Sequence, residues 1–282
     1  MTTTTIELRQ NEKEKFLQVA LEKQSFLVVA DAGSGKTTMA NLVKDELINH
    51  GLNVAIADYA GDAKSTLQNI SDQLAIDTFK MVPREKSDDK EVALTATEMK
   101  VAIAEVLKTS NSILICDNAH RYPTALRYWL EEIVKGGGTI LMFATHPPRA
   151  GIFLIMPRIE MKSLETNDVR SLMLEEANVL GVKVEISKLA ELQERSGGNP
   201  YLAKRAIREE ALGLGEGEAG DHVEYIDGTP FLIAGISLVA IVRFIGLGLG
   251  DKGLYMIGGI ATVLAITIRV FFQYMNRRSS RL

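Results

Sequence analysis

A glycine-rich segment between a short apolar run and an amphipathic stretch carries the residues best suited to phosphate chemistry. Residues 31–38 read DAGSGKTT, and the apolar run before them, residues 25–30, predicts a buried strand. In such a loop, backbone N–H groups surround phosphate oxygens at a helix N-terminus, a lysine reaches the β- and γ-phosphates, and the following hydroxyl ligates Mg²⁺. The sequence therefore predicts a site for ATP and Mg²⁺, formed by Ala32, Gly33, Ser34, Gly35, Lys36, Thr37 and Thr38.

Two further apolar runs end in polar residues that suit nucleotide chemistry. Residues 112–116 precede Asp117, and a strand of this kind carries its carboxylate to the phosphate loop, where it holds Mg²⁺, usually through water. Residues 139–144 precede Thr145, which would lie near the γ-phosphate if that strand lies between the other two. We therefore expect Thr37 and Asp117 to be metal ligands and Thr145 to sense the γ-phosphate.

These motifs need an α/β framework that brings the ends of several strands together. Candidate strands alternate with segments of helical spacing, and this alternation predicts a parallel sheet. The strands lie at residues 25–30, 53–59, 112–117 and 139–144. Three further helical segments follow at residues 166–181, 186–196 and 200–212.

The composition limits the class of protein. The chain has 282 residues, of which 46% are hydrophobic and 24% charged, and this excludes a disordered chain. A single cysteine excludes intramolecular disulfides, and four histidines beside it leave little material for a structural zinc site. The mean hydropathy of +0.05 is high for a chain with this many charges, and the apolar excess lies at the C-terminus.

The two parts of the chain differ in charge. After residue 228, six basic residues oppose Asp251 alone, which gives a net charge of +5. Because the whole chain sums to −4, the first 228 residues carry −9. Broad binding of a nucleic-acid backbone needs clustered Lys and Arg, so we do not expect nucleic acid as a partner of this acidic body.

Two apolar segments at the end of the chain predict a transmembrane hairpin. Residues 231–249 and 253–272 each contain one charge, and each matches the roughly 20 residues that cross about 30 Å of hydrocarbon as a helix. A buried helical hairpin of a soluble protein is the alternative. The basic residues after the second segment and the lack of a secretory signal predict a two-span membrane protein with both termini and the preceding domain in the cytoplasm, in a prokaryotic inner or plasma membrane.

Arg243 lies near the middle of the first predicted span. A charge at that depth costs about 2.5–3.5 kcal/mol, and neither span contains an Asp or Glu that could neutralise it. Two interpretations remain open: a functional group within the membrane, or a side chain that snorkels towards the outer face.

The motifs together resemble those of the AAA+ and STAND branches of the P-loop ATPases. The resemblance covers residues 10–213 and rests on ADAGSGKTT, SILICDNAH, TILMFATHPPR, PRIEMKSLETNDV and RSGGNPYLAKRAIREEAL. The order of motifs is similar to that of secretion-pathway and transposition ATPases with a lone AAA+ domain, whereas DNAH and GGNP look more like STAND ATPases. The resemblance implies an α/β P-loop NTPase whose parallel sheet has the order 5-1-4-3-2, a small helical lid over the nucleotide, and association into a homo-oligomer.

One departure from the family pattern bears on hydrolysis. AAA+ enzymes usually place a Glu after the Mg²⁺ aspartate to orient the attacking water, and this chain has Asn118 there. An amide cannot act as a general base, so we expect ATP hydrolysis to be slow. Asp58, at the end of the second strand, is a candidate substitute for that Glu.

One of the arginines that AAA+ ATPases commonly have at the nucleotide is missing from its usual position here, and the other has two candidates. The lid position that commonly offers an Arg is Tyr201 here, with Lys204 or Arg205 one turn further on. By analogy with the family, the arginine finger that acts on a neighbouring subunit is Arg158, with Arg149 as the second candidate. Both of these could equally be surface arginines.

These observations divide the chain into six segments. They are an ATPase core at 1–162, a helical lid at 163–213, an acidic glycine-rich linker at 214–230, two transmembrane helices at 231–249 and 253–272, and a basic cytosolic tail at 273–282.

Three functions fit this organisation. The first is a membrane-anchored, slow ATP hydrolase that acts as an ATP-dependent assembly factor or switch with an unidentified protein partner. The second is a STAND-like defence effector whose ATP-gated oligomerisation clusters membrane hairpins. The third is a DNA-handling ATPase similar to transposition regulators, against which the acidic body and the predicted spans both count.

Overall fold

The computed structural model of the protein describes residues 9–84, 87–109 and 111–214, together with four single helical positions, 248, 253, 256 and 259. The chain divides into two units, Met1–His222 and Val223–Leu282. The first unit contains all the elements described below. In chain order they are α1 (Gln10–Leu21), β1 (Phe26–Val29), α2 (Lys36–Asn49), β2 (Asn53–Asp58), α3 (Ala63–Gln73), β3 (Phe79–Arg84), β4 (Ser87–Ala93), α4 (Ala96–Thr109), β5 (Ser112–Asp117), a 3₁₀ turn (Ala119–Arg121), α5 (Thr124–Lys135), β6 (Thr139–Ala144), α6 (Ile152–Ile155), β7 (Arg158–Glu160), α7 (Thr166–Leu180), α8 (Ile186–Ser196) and α9 (Pro200–Ala211).

Five of the strands form one parallel sheet in the order β2-β5-β6-β1-β7. Counted along the chain as five core strands, this is the predicted order 5-1-4-3-2 read from the other edge, and the prediction is confirmed. Strand β6 lies between β1 and β5, so the chain after β6 emerges between the phosphate loop and Asp117. The carboxyl ends of all five strands meet at one edge, where the polar motifs lie.

Helices cover both faces of this sheet. Strands β5 and β6 are buried along their whole length, because one face packs on α1 and α2 and the other on α3, α4 and α5. On the first face, Phe16 of α1 packs against Phe26 and Phe143, with ring centroids 5.7 and 6.2 Å apart. Full burial of one such side chain stabilises the fold by about 1.5–3 kcal/mol.

An antiparallel hairpin, β3–β4, lies outside the central sheet between α3 and α4. The backbone N–H of Leu94 donates to the carbonyl of Thr78 at 2.7 Å at its base, and Lys80 forms an ion pair with Glu98 at the start of α4. With a hydrogen bond from Thr95, this contact lowers the pKa of Glu98 to about 2. The sequence did not predict the hairpin, because charged residues and Pro83 interrupt the apolar alternation that marks a strand.

Three helices, α7, α8 and α9, form a separate small bundle after the core. Its apolar centre includes Leu172, Leu192 and Ile207, all fully buried. Helices α7 and α8 each end at a glycine in the left-handed conformation, Gly181 and Gly197, which is the usual way to stop a helix. We call this bundle the lid.

The predicted membrane hairpin lies outside the described residues, apart from the four single positions. The same holds for residues 215–230, for Arg243 and for the basic tail at 273–282. Of the helices that are described, none combines the length and the apolar character needed to cross a bilayer.

Candidate functional site

The loop between β1 and α2 has the conformation that phosphate binding requires. Gly33 and Gly35 adopt φ values of +77° and +92°, which side chains of L-residues rarely allow. Gly35 caps the N-terminus of α2, so the free N–H groups of the first helical turn point into the loop. At Gly33 a Cβ atom would also lie 2.8 Å from the Cβ of Tyr201 in the lid.

Lys36 lies inside this loop rather than on the surface. It is 6% exposed, and its Nζ donates to the carbonyls of Ala30 at 3.1 Å and Asp31 at 2.6 Å. Burial lowers the pKa of Lys36, while the carboxylates of Asp117 and Asp31 oppose the shift. The ammonium group is therefore positioned at the centre of the loop, where it can meet phosphate oxygens.

Thr37 and Asp117, the two predicted metal ligands, are in contact with each other. The Thr37 hydroxyl donates to Oδ2 of Asp117 at 2.5 Å, although 80 residues separate them in the chain. A hydroxyl and a carboxylate are hard oxygen donors of the kind that Mg²⁺ takes from a protein, with nucleotide phosphates and water completing its octahedron. Among the described residues there is no group of three or more His, Cys, Asp or Glu that could enclose a metal by itself.

Ser34 adds an independent sign that the loop is built for a polar ligand. Its side chain is buried, and its Oγ has no hydrogen-bond partner within the described part of the chain. Buried hydroxyls are usually satisfied, so this one is suited to a phosphate oxygen.

Asn118 lies between two carboxylates. Its Nδ2 is 3.4 Å from Oδ1 of Asp58 and 3.4 Å from Oδ2 of Asp117, and its backbone N–H donates to Oδ1 of Asp117 at 2.9 Å. Asp58 and Asp117 are register partners at the ends of the parallel strands β2 and β5. Asp58, the candidate substitute for the missing Glu, therefore contacts Asn118, which occupies the position of that Glu.

Thr145 lies at the end of β6, where the sequence places a sensor. Its backbone N–H donates to Nδ1 of His120 at 3.1 Å. His120 belongs to the 3₁₀ turn after Asp117, and the neighbouring Tyr122 anchors that turn by donating to the carbonyl of Ala57 at 2.7 Å. His120 belongs to the DNAH motif, but no sequence pattern assigned it a role.

A cavity of about 440 Å³ joins these residues to the lid. The core lines it with the phosphate loop and the start of α2 (residues 32–39 and 42), with Asn118, His120, Arg121 and Thr145, and with Arg9. The lid lines it with Leu172, Pro200, Tyr201 and Lys204, and the segment just before the lid adds Leu164. The polar loop thus forms one end of the cavity, and leucines of the lid segment contribute an apolar part.

The start of α9 holds the lid directly against the phosphate loop. Nδ2 of Asn199 donates to the carbonyl of Ala32 at 2.7 Å, and the N–H of Tyr201 donates to the carbonyl of Gly33 at 3.2 Å. Oδ1 of Asn199 meanwhile caps α9 by accepting from the N–H groups of Tyr201 and Leu202. One side chain therefore both starts the lid helix and contacts the loop.

The structure separates the two lid cations that the sequence left as alternatives. Lys204 lines the cavity, with its Nζ 3.7 Å from Oε2 of Glu176, whereas Arg205 does not line it and pairs with Glu209 at 2.9 Å. Lys204 is therefore the lid cation that can reach a nucleotide in this cavity.

The two arginine-finger candidates lie elsewhere. Arg158, on the edge strand β7, and Arg149 are both exposed, and neither lines the cavity of its own chain. A role for either in hydrolysis would require a second copy of the protein.

Arg9 lines the cavity although no sequence pattern marked it. Its Nη2 lies 3.4 Å from the carbonyl of Ser34, and its Nη1 pairs with Glu12 at 2.8 Å. It belongs to none of the motifs and precedes the first helix, so only the packing of α1 on α2 brings it to the loop.

Residues 20–152 match the family model described as an AAA domain. This segment runs from the end of α1 to the first residue of α6, just under half of the chain. It contains the phosphate loop, Asp117 and Thr145, and it stops before the lid. The matched segment therefore carries the core of the candidate site.

Similar solved structures include three proteins of low sequence identity. A structure described as a DNA replication initiation factor has a TM-score of 0.49 at 14% identity, with 87% of this chain and 71% of that chain covered. The Thermotoga maritima RuvB Holliday junction branch migration motor has a TM-score of 0.46 at 16% identity, covering 86% and 82%. The replication initiator DnaA bound to AMPPCP and single-stranded DNA has a TM-score of 0.44 at 11% identity, covering 82% and 67%.

These three likenesses are remote. They give no support to a STAND-type protein, and that part of the resemblance stays a hypothesis.

Proposed function

We propose that the AAA domain of this protein binds ATP with Mg²⁺ in the cavity between core and lid, and hydrolyses it slowly. The observation that carries the proposal is the 2.5 Å contact between the hydroxyl of Thr37 and the carboxylate of Asp117 beside the buried Lys36. Three residues from two separate motifs meet there in the arrangement that a nucleotide–magnesium complex needs.

Each of these residues has a distinct task. Lys36 supplies a point charge for the β- and γ-phosphates, and backbone N–H groups of the loop bind their oxygens. Thr37 and Asp117 would hold Mg²⁺, and Thr38 would contact the α-phosphate. When bound, the metal neutralises charge that develops on the phosphates.

Slow turnover follows from the side chains around the terminal phosphate. Asn118 occupies the position of the usual Glu, and of the two carboxylates that it contacts, Asp117 is assigned to the metal and Asp58 lies at the end of β2. General-base assistance contributes roughly 10²–10⁴-fold, so a site without it retains ATP for longer. A long-lived ATP-bound state suits a switch better than a motor.

We extend the proposal to the whole chain as a membrane-anchored, homo-oligomeric assembly factor or switch with its ATPase domain in the cytoplasm. The support is the pair of apolar segments at 231–249 and 253–272 and the exposed Arg158, which could act only on a neighbouring copy. A hairpin-clustering effector and a DNA-handling ATPase are the alternatives.

Three measurements on the full-length protein test the proposal. We expect it to need detergent for extraction from membranes, to bind ATP more tightly with Mg²⁺ than without, and to release phosphate slowly over many turnovers. Binding without any turnover would favour the effector, and salt-dependent DNA binding would favour the third function. A detergent-free, soluble, folded monomer would contradict the membrane anchor, and absence of nucleotide binding would contradict the whole proposal.

A further inference from the structure

His120 links the ends of two neighbouring strands inside the cavity. It follows Asp117 by three residues, and its Nδ1 accepts the backbone N–H of Thr145 from the end of β6 at 3.1 Å. Both residues line the cavity beside Lys36. The ring is therefore held between the strand that carries the metal-binding carboxylate and the strand that carries the sensor candidate.

This hydrogen bond determines what the other ring nitrogen can do. Since Nδ1 accepts, the proton of the neutral imidazole is on Nε2, which is then a donor. Burial, with the charges of Arg121 and Lys36, lowers the pKa of His120 and so favours the neutral ring. While this bond persists, Nε2 cannot act as a base, and His120 does not replace the missing Glu.

Nε2 has no hydrogen-bond partner among the described residues. The carboxylate of Asp117 acts on the ring through its charge, but its two oxygens already accept the Thr37 hydroxyl and the Asn118 N–H. The charged side chains that line the cavity are all cationic: Arg9, Lys36, Arg121 and Lys204. An acceptor-rich anion is therefore the ligand that complements this end of the cavity.

We propose that Nε2–H of His120 donates to the terminal phosphate of bound ATP, and that Nδ1 ties this contact to the position of Thr145. This inference rests on the proposed ATP site and names a residue that distinguishes ATP from ADP there. ADP lacks the phosphate that Nε2–H contacts, so the contact is lost after hydrolysis and the end of β6 loses one of its constraints.

The test is the ratio of the dissociation constants for ADP and ATP, measured with Mg²⁺ on the full-length protein by calorimetry. A hydrogen bond to a charged group corresponds to roughly a tenfold change in affinity, so His120→Ala should lower the preference for ATP about tenfold and leave ADP binding unchanged. His50→Ala is the matched control, because His50 is exposed at the far end of α2 and lies outside the cavity.

Two conservative variants separate the two nitrogens. His120→Asn keeps an acceptor near Nδ1 and lacks the reach of Nε2, so it should retain the melting temperature but lose the ATP preference. His120→Gln places an amide nitrogen near Nε2 and should recover part of that preference. Equal losses for ATP and ADP, or a Gln variant no better than Ala, would overturn the inference.

The same data distinguish this inference from the proposed function. If the wild-type protein binds neither nucleotide, the ATP site itself is wrong. If the wild-type protein binds both and His120→Ala leaves their ratio unchanged, the ATP site stands and only the role of His120 is wrong.

Discussion

The two sides of the cavity between core and lid differ in how many of the residues expected of an ATPase they contain. On the side that would hold phosphates and metal, every expected residue type is present. Thr37 contacts Asp117, and the charge of Asp117 acts on the neighbouring Lys36. On the side that would activate water, an amide replaces the expected carboxylate, and it contacts Asp58 instead. We expect from this difference that ATP binding and ATP turnover depend on separate residues within one site, so that one can be kept without the other.

The largest effect should come from Lys36. Lys36→Ala removes the buried charge that meets two phosphates, and we expect about a hundredfold loss of ATP affinity. Lys15→Ala, on an exposed position of α1, is the matched control and should bind as the wild type does. Calorimetry with Mg²⁺ and ATP measures both, and retention of full affinity by Lys36→Ala would show that the phosphate side is misassigned.

The next effect should come from Asp117. Asp117→Asn keeps the shape of the side chain but removes its charge, and loss of a group that orients metal-bound water typically lowers metal affinity 10–100-fold. We therefore expect the gain in ATP affinity that Mg²⁺ provides to be about thirtyfold smaller than in the wild type. We also expect no ATP hydrolysis. Asp45→Asn, on the exposed side of α2, is the control. Unchanged Mg²⁺ dependence would contradict the metal site.

Replacing Asn118 tests the site in the opposite direction, because the substitution should increase the rate of ATP hydrolysis instead of weakening binding. Asn118→Glu restores the missing carboxylate, and we expect steady-state phosphate release to rise roughly tenfold, a cautious fraction of what a general base contributes. Asn178→Glu in the lid controls for added negative charge. ATP affinity should stay within a fewfold of the wild type.

The structure sharpens that test through Asp58. A glutamate at position 118 would face the carboxylates of both Asp58 and Asp117, and like charges so close repel each other. Combining Asn118→Glu with Asp58→Asn restores one carboxylate and one amide in exchanged places, so the double variant should turn over faster than the single one. Fast wild-type turnover that Asp58→Asn abolishes would place the catalytic centre on β2 instead.

The smallest effect should come from the contact between lid and loop. Asn199→Ala removes a helix cap, which costs about 1 kcal/mol, and also the bond to the carbonyl of Ala32. We expect a lower melting temperature and a loss of ATP affinity of a fewfold, since the lid no longer contacts the loop through that side chain. Asp62→Ala removes the comparable cap of α3 and should lower stability alone. If the two variants bind ATP equally well, the contact between Asn199 and the carbonyl of Ala32 does not contribute to ATP affinity.

Much of the core was predictable because its signals are local. The phosphate loop is one contiguous segment whose glycines, lysine and threonine take their positions from the strand before it and the helix after it. The order of strands followed from the resemblance to a known family, and the register that brings Asp58 beside Asp117 required the structure. The β3–β4 hairpin was missed because dense charge hides any strand pattern there.

The amino-acid sequence by itself determined which chemistry is available: a lysine, a hydroxyl and a carboxylate for a nucleotide–magnesium complex, and an amide where a general base is usual. Only the tertiary structure decided that His120 meets Thr145 across 25 residues, that Asn118 meets Asp58 across 60, and that Lys204 rather than Arg205 lines the cavity. These contacts depend on strand register and on the rotation of a helix about its axis, where a shift of one residue turns a side chain by about 100°. Local composition does not encode either quantity, because both are set by how distant segments pack together.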